Sequence, residues 1–395
     1  MFADGRCFML SNGSPIPARR GSGRSCSVGS LLRVRKYFPA TGRLAVLAGA
    51  TLMLLGTTVC TNAANVPKSV LPNPGLTNPR MNFNLGTRIK GVDLPGNSPY
   101  LPAIPGPLSG WTVTMWHRRE VLNARELVRN DRKLRDPRLG VPAYAFTTPN
   151  HKSHLAIYRD HKTHRWVYEL FEKNGPLLPN GGANLFLSAK PIGGGITMNH
   201  HLVYNLWAKI AQARIRYYNA TAEKSGAVLA QVFSGFILTY HSRNPKRNIT
   251  LFMQIHFADS RRDMRNKRGI TYTDCIGGGH PSAVIVSFVP PGGYPFPFRA
   301  SRGPLRHLHY RLNGFLRQAL NCPLPYRQAD GTIGRFTFSP RAKDQKNWTL
   351  RSMTVGLETQ NRDFRPGVTN HRQQGSVSVA LQVANLSVTT DGTGH

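Results

Sequence analysis

The stretches Val228–His241 (VLAQVFSGFILTYH) and Ile249–Phe257 (ITLFMQIHF) decide the fold of this chain. Both alternate apolar and polar side chains with a period of two, which is typical of β-strands. A polar connection that contains a proline, SRNPKRN, separates them. The pattern therefore predicts two neighbouring strands joined by a turn.

Each of these two strands has one apolar face and one mixed face. The apolar face of the second strand carries Leu251, Met253, Ile255 and Phe257. The mixed faces combine aromatic rings with hydrogen-bonding groups, where a strand facing only water more often carries Lys, Glu and Thr. We interpret this combination as a ligand-binding face, and sugars as its class of ligand.

Strand-like alternation recurs along the chain. It appears at Trp111–Trp116, in a hairpin formed by Leu155–Tyr158 and Trp166–Leu170, at Leu185–Ala189, in the later half of Leu202–Tyr218, at Ala283–Val289, at Trp348–Glu358 and at Val377–Val383. Apolar residues at intervals of three and four predict one helix over Pro304–Leu320, and Glu120–Arg135 is a second candidate helix. We therefore predict an all-β fold with one or two helices, in the form of an antiparallel two-sheet jelly-roll sandwich.

The mixed faces of the predicted strands supply the candidate ligand-binding residues. These are Gln231, Phe233, His241, Phe252, Gln254, His256, Glu358 and Gln382. Such a site requires that the mixed faces of all these strands belong to one sheet.

Residues 1–64 are predicted to form a leader. Basic residues, including Arg43, precede the apolar run Leu44–Val59, whose sixteen residues are short for a spanning helix and suit a signal peptide. Cleavage is expected near Ala63 or Ala64, and an uncleaved leader that anchors the protein in a membrane is the alternative.

Residues 65–110, rich in Pro, Asn and Gly, are predicted to form an extended arm, and residues 111–395 are predicted to form the β-sandwich domain. The expected location is secreted or periplasmic.

The chain is strongly basic, with 52 Lys and Arg against 18 Asp and Glu and a formal net charge of +34. Residues 1–64 contain eight basic residues and one acidic residue, so the rest of the chain carries +27. Such a charge favours a polyanionic partner, such as an acidic polysaccharide. The alternative is a compositional bias spread over the whole surface.

Nucleic acid is disfavoured because the chain has no nucleic-acid-binding motif and is expected to be exported. No dinucleotide loop follows a strand, so no cofactor is predicted.

Cysteine usage agrees with export. Cys7, Cys26 and Cys60 belong to the predicted leader, and only Cys275 and Cys322 remain. One disulfide between these two is the expectation, and two buried thiols are the alternative. The paired histidines His151/His154 and His161/His164 have the spacing of metal ligands, but no cysteine or carboxylate accompanies them, so no metal site is predicted.

From about Val228 to Val388 the strand pattern resembles the concanavalin-like jelly rolls, whose concave sheet binds glycans. Glu358, in VGLET, resembles the acid/base Glu of small endoglucanases of this architecture. Hydrolysis of that type requires a second carboxylate. Gln254 and His256 stand where that nucleophile is expected, which argues against hydrolysis.

The tripeptide Gln254-Ile255-His256 is similar to the Gln-Ile-His strand of alginate lyases. This resemblance implies that Gln254 helps to neutralise a uronate carboxylate and that His256 acts as the base of an elimination. Arg125–Arg129 (RELVR) only echoes another motif of that family, and the sequence lacks its Tyr-x-Lys-x-Gly-x-Tyr segment.

The sequence thus favours an exported β-sandwich that binds a polysaccharide, preferably an acidic one. The first alternative is a lyase that cleaves a uronate polymer with His256 and Gln254, and the second is an envelope structural protein. Whether the protein is an enzyme stays open at this point, with elimination favoured over hydrolysis, and so does its oligomeric state.

Overall fold

The structure, a computed structural model, consists mainly of β-strands that pair into two large sheets. It describes residues 69–72, 82–89, 92–93, 108–116, 136, 138–140, 142, 144–148, 152–174, 182–218, 228–244, 247–261, 264, 266–276, 280–301, 303–327, 332–361 and 374–390. Within these residues no helix is long and apolar enough to cross a membrane.

Strands and helices follow one another in a simple order. They are β1 (Asn82–Ile89), β2 (Val92–Asp93), β3 (Leu108–Trp116), β4 (Tyr144–Thr147), β5 (Ser153–Arg159), β6 (Trp166–Asn174), β7 (Gly182–Ala189), β8 (Ile196–Thr197), β9 (Leu202–Tyr217), β10 (Val228–Tyr240), β11 (Ile249–Asp259), β12 (Gly269–Ile276), β13 (Ala283–Val289), β14 (Arg306–Arg311), α1 (Leu312–Asn321), β15 (Leu324–Arg327), β16 (Ile333–Phe336), α2 (Pro340–Lys343), β17 (Trp348–Asn361) and β18 (Gly375–Thr390).

The large sheet has the order β12-β13-β11-β10-β17-β7-β3-β1-β2, and β8 adds to β17. Its pairs are antiparallel except for β11 with β13 and β1 with β3. The second sheet has the order β14-β9-β18-β6-β5-β4, and β15 and β16 form a separate hairpin. These two sheets form a sandwich, which confirms the predicted all-β jelly-roll fold class.

The core lies between the two sheets. Alternation turns Val232, Phe236 and Met253 of the large sheet inward, and Leu170 and Leu381 of the second sheet point back at them, all of them fully buried. Burying each such side chain contributes about 1.5–3 kcal/mol. The apolar face predicted for Ile249–Phe257 therefore lies in the core, and the mixed face turns outward.

Two predicted elements differ from the structure. The segment Leu202–Tyr218, expected to be a strand only in its later half, is a strand from Leu202 onward. The helix predicted over Pro304–Leu320 was wrong in its first half, because β14 occupies residues 306–311 and pairs with β9. The apolar residues Leu308 and Leu312 fit helical spacing, but the helix α1 begins only at Leu312.

The remaining expectations concern the leader, the second candidate helix and the predicted arm. The leader, residues 1–64, and the candidate helix Glu120–Arg135 lie outside the described residues. Within the predicted arm, residues 65–110, β1 and β2 extend the edge of the large sheet beyond β3. The domain boundaries stay predictions.

The expected disulfide does not form. Cys275 and Cys322, which both lie within the described residues, are not joined to each other. Cys275 is buried in β12 against the core, and burial, with a contribution from Asp274, raises the pKa of its thiol to about 12. Cys322 directly follows α1. Of the alternative, two buried thiols, the structure agrees for Cys275, whereas Cys322 is only partly buried.

Candidate functional site

The outward face of the large sheet across β7, β17, β10, β11 and β13 is the candidate functional site, and we call it the polar face. Residues that are directly opposite in neighbouring strands share one face of a sheet. Strand register therefore groups the side chains of this face into rows that cross the strands. From Gln231 to Thr239 on β10 the polar face is about 27 Å long, at 3.4 Å per residue.

The first row joins Glu358, Gln231 and Asp259. The amide Nε2 of Gln231 donates to Asp259 Oδ2 over 2.8 Å, and Arg261 forms an ion pair with the same carboxylate at 2.6 Å. Burial acts to raise the pKa of Asp259, but the charge of Arg261 and these hydrogen bonds outweigh it, so the pKa lies below its ordinary value. Asp259 is therefore an ionised, fully engaged carboxylate.

The second row is aromatic and closely packed. His256 lies opposite Phe233, and their rings stack with centroids 5.1 Å apart. Phe186 contacts the other side of this group, with its centroid 5.4 Å from that of Phe233. His256 is only 3% exposed. Burial lowers its pKa to about 4, the charge of Asp259 opposing this and that of Arg261 adding to it. The imidazole is therefore neutral near pH 7.

The third row carries the hydrogen-bonding groups of the polar face. Gln254 Oε1 accepts a hydrogen bond of 2.6 Å from Ser287 Oγ and lies 3.4 Å from His256 Nε2. Donation by Nε2 to this oxygen makes Nδ1 of His256 an acceptor. Nδ1 is buried and has no hydrogen-bond partner among the described residues. The predicted pair Gln254 and His256 is thus brought together.

Gly235 lies beside Gln254 in this row and makes room for Phe252. A Cβ atom at Gly235 would lie 2.5 Å from the Phe252 ring and 2.9 Å from Thr354 Oγ1. The ring therefore extends over β10 at the glycine. Phe252, Gln254 and Thr354 are all partly exposed, in contrast to the buried second row. They form the accessible part of the polar face.

Glu358 differs from Asp259 in its surroundings. It is half-buried and accepts no hydrogen bond from any residue that the structure describes. Burial raises its pKa to about 7, although the positive charge of Arg261 acts in the opposite direction. Near neutral pH it can therefore donate or accept a proton, as a general acid or base does.

His241 marks the far end of the polar face. It is exposed, and its Nε2 accepts a hydrogen bond of 2.8 Å from Arg351. Arg351 also donates to Thr239 Oγ1 and to the backbone oxygen of Gly194. Of the predicted ligand-binding residues, seven thus lie on or at the end of one sheet face.

Gln382 is the exception. It lies on β18 in the second sheet, is fully buried, and its Nε2 donates to Asp136 Oδ2 over 2.5 Å and to Glu169 Oε2 over 2.6 Å. Glu169 in turn contacts His154 Nε2 at 3.0 Å. Gln382 therefore belongs to a separate buried cluster on the opposite side of the sandwich, and the structure separates it from the other seven residues.

The histidine pairs do not converge on a shared centre in the part of the chain that is described. His154 is buried and stacks on Phe171, while His161 and His164 lie exposed in the turn between β5 and β6, and His151 lies outside the described residues. No group of three or more His, Cys, Asp or Glu side chains in the described ranges is arranged to hold a metal ion.

The predicted ligand-binding residues omit four residues of the polar face, namely Asp259, Ser287, Thr354 and Arg351. By alternation Asp259 would join Phe257 on the apolar face, but a bulge at Phe257 shifts the register between β10 and β11 and turns Asp259 to the polar face. Ser287 lies opposite Gln254 only because β13 pairs in parallel with β11. Arg351 lies where the register of β17 against β10 also shifts. Asp259 therefore could not be predicted from alternation, and Ser287 and Arg351 depend on pairing, whereas Thr354 follows from its alternation with Glu358 along Trp348–Glu358.

No protein-family model and no curated protein matches the sequence. Among solved structures, the chain is similar to a thermostable variant of the Cel12A cellulase of Rhodothermus marinus, with 11% identity, a TM-score of 0.26, and coverage of 62% of this chain and 95% of that one. It is also similar to the family 11 xylanase of Neocallimastix patriciarum and to a loop-swap mutant of it, both with 8% identity, a TM-score of 0.28, and coverage of 62% and 90%. Similarities of this size carry no argument, so any function has to rest on the residues of the polar face.

Proposed function

We propose that the protein is a polysaccharide-binding β-sandwich that holds an acidic glycan along the polar face. One observation carries the proposal: rings and amides, including Phe252 and Gln254, follow one another in rows over neighbouring strands. A sugar unit offers an apolar ring face and a rim of hydroxyl groups, so it requires both kinds of side chain.

The acidic character of the glycan is supported by the net charge of +27 beyond residue 64. The polar face itself contributes two arginines, Arg261 and Arg351. Arg261 already pairs with Asp259, so Arg351 is the more available cation for a carboxylate. Export to the periplasm or the cell exterior, where such polymers occur, is part of this proposal.

Binding is favoured over cleavage by the burial of His256. A catalytic base must touch the proton that it removes. The only acceptor nitrogen of His256, Nδ1, is buried beside Phe233 and not open to the polar face. Elimination from a uronate polymer remains the second candidate, because His256 is neutral near pH 7 and lies next to Gln254.

The test measures affinity and product formation on the same samples. The protein is incubated with alginate, pectate and glucuronan while absorbance from unsaturated sugars is followed, and its affinity is measured by calorimetry. We expect binding without new absorbance, and a loss of about tenfold in affinity for Phe252→Ala. Ile333→Ala is the control, because Ile333 is 61% exposed and lies in the separate β15–β16 hairpin.

Three outcomes would change the conclusion. New absorbance that disappears in His256→Gln would establish the lyase. Equal affinities of Phe252→Ala and Ile333→Ala would move the binding site away from the polar face. Absence of binding to any glycan would favour a structural protein of the envelope.

A further inference from the structure

A second charged surface lies on the opposite side of the sandwich. On the edge strand β14, His307, His309 and Arg311 all point outward and are exposed. They lie opposite Trp207, Asn205 and Val203 of β9. Arg165, which directly precedes β6, reaches the Trp207 ring beside them. We call these four basic residues the basic strip.

Contacts hold the basic strip in place before any partner arrives. The guanidinium of Arg165 lies 4.2 Å from the centroid of the Trp207 ring, and His307 stacks on that ring at 5.1 Å. His309 Nδ1 lies 2.8 Å from Asn205 Oδ1, so Nδ1 donates and Nε2 faces away from β9. Side chains that are already ordered lose less entropy when they bind a ligand.

No described carboxylate neutralises these residues. Arg165 and Arg311 form no ion pair within the described part of the chain. Burial lowers the pKa of His307, and its neighbours His309 and Arg165 add to this lowering. Asp160 is near in sequence, but its oxygens accept from Lys162 and Thr163 within the turn. On the polar face, by contrast, Asp259 neutralises Arg261.

We propose that the basic strip is a second binding surface, and that its partner is a chain of anionic polysaccharide. The polar face and the basic strip point away from each other, because they belong to the outward faces of different sheets. One molecule therefore links two polymer chains. This linking function rests on the proposed function for the polar face, whereas anion binding by the basic strip does not.

The contacts of Trp207 favour a glycan over a nucleic acid. Proteins that hold single-stranded nucleic acid without sequence preference stack bases on free aromatic rings. Arg165 and His307 already occupy the Trp207 ring, so a base that stacked in their place would have to displace one of them. What remains accessible is a row of cationic and imidazole groups, which suits the carboxylates or sulfates of a polymer.

The test uses the full chain and polygalacturonate as the probe. The double variant Arg165→Glu/Arg311→Glu reverses the charge of the basic strip. Arg335→Glu/Arg341→Glu makes the same change at two exposed arginines on β16 and α2 and serves as the matched control. Affinity for immobilised polygalacturonate is measured from low to high salt, and linking is measured as light scattering of long polygalacturonate at substoichiometric protein.

We expect the basic-strip variant to bind about tenfold more weakly at low salt, with a smaller dependence on salt, because fewer counterions are released. It should no longer raise light scattering, whereas the control variant should still do so. Equal affinity and scattering in the two double variants would overturn the proposal. Tighter binding of single-stranded DNA with the same sensitivity to Arg165→Glu/Arg311→Glu would overturn it as well.

A third variant, Phe252→Ala on the polar face, separates this proposal from the preceding one. If both proposals hold, this variant binds through the basic strip but does not link chains. If the polar face binds no glycan, Phe252→Ala has no effect, while the basic-strip variant still loses affinity. In that case the second surface stands without the linking function.

Discussion

Glu358 is the residue whose protonation should be most visible in the stability of the fold. Burial raises its pKa in the folded protein to about 7, from 4.5 for an ordinary Glu. The folded state therefore favours the protonated form. This contribution is fully present below the unfolded pKa, and it is lost as the pH rises from about 4.5 through about 7.

Glu358→Gln should remove this dependence on pH. At pH 5 the variant and the wild type should unfold in urea at similar concentrations, and at pH 8 the variant should be more stable by on the order of 2 kcal/mol, since one pKa unit corresponds to 1.4 kcal/mol. Asp344→Asn is the control of opposite sign, because a hydrogen bond from Lys346 lowers the pKa of Asp344. A Glu358→Gln variant with no gain at pH 8 would contradict the assigned pKa.

Alanine substitutions at Gly235 and Gly356, two glycines on the polar face, should distinguish an effect on glycan binding from an effect on stability. A Cβ atom at Gly235 meets the half-buried Phe252 ring, which can move outward, whereas at Gly356 it lies 2.1 Å from the backbone oxygen of Leu185. We expect Gly235→Ala to change the free energy of unfolding by less than about 1 kcal/mol but to lower glycan affinity about tenfold. Gly356→Ala should cost about 3 kcal/mol. Denaturation and calorimetry on both variants measure this, and equal destabilisation would show that the Phe252 ring is fixed.

Among the elements, β14 is the one that sequence spacing assigned to a helix. Leu308 and Tyr310 turn inward and His307 and His309 turn outward, which is the period of a strand. Over so few residues, Leu308 and Leu312, four residues apart, fit either period, so local spacing cannot decide. Pairing with β9 decides that this segment is a strand. Since β9 pairs with β18 along one edge, its other edge is available to β14.

Hydrogen exchange distinguishes these two structures directly. In an antiparallel edge strand only alternate residues donate to the neighbouring strand. From His307 to Arg311 we therefore expect alternate amides to be protected, and in α1 we expect continuous protection after its first turn. NMR with amide exchange measures both segments in one sample. Continuous protection beginning near Leu308 would show that this segment is helical and that β14 does not form.

The same limit explains which parts of the site were predictable. Alternation placed Gln254 and His256 on the face of β11 opposite Met253, and the structure agrees, because the face of a strand is a local property. It also placed Gln382 on a polar face of β18, but β18 pairs with β6 and β9 in the second sheet. Membership in a sheet depends on distant partners, which the local pattern of a strand does not contain.

At the scale of the whole molecule, the two sheets divide the chemistry between them. The large sheet turns rings, amides and the titratable Glu358 outward, with Arg261 neutralised by Asp259. The outer side of the second sheet carries the buried cluster around Gln382, and its β14 edge carries the basic strip. The basic strip therefore lies away from the rings of the polar face. A protein with this division can bind by shape and hydrogen bonds on one side and by charge on the other.

The two cysteines test whether this sandwich depends on a covalent link. A disulfide between Cys275 and Cys322 would stabilise the protein by roughly 4 kcal/mol in the chain-entropy treatment, and its reduction would lower the unfolding temperature by roughly 10 °C. Because the structure joins neither cysteine to the other, we expect the unfolding temperature to be the same with and without dithiothreitol, and the same in Cys322→Ser. We also expect Cys275 to resist alkylation at pH 8 until the chain unfolds, because its pKa is about 12 and the thiolate is the reactive form. Calorimetric scans and non-reducing peptide maps measure these quantities, and a mapped Cys275–Cys322 peptide with a lower unfolding temperature in reductant would establish the disulfide instead.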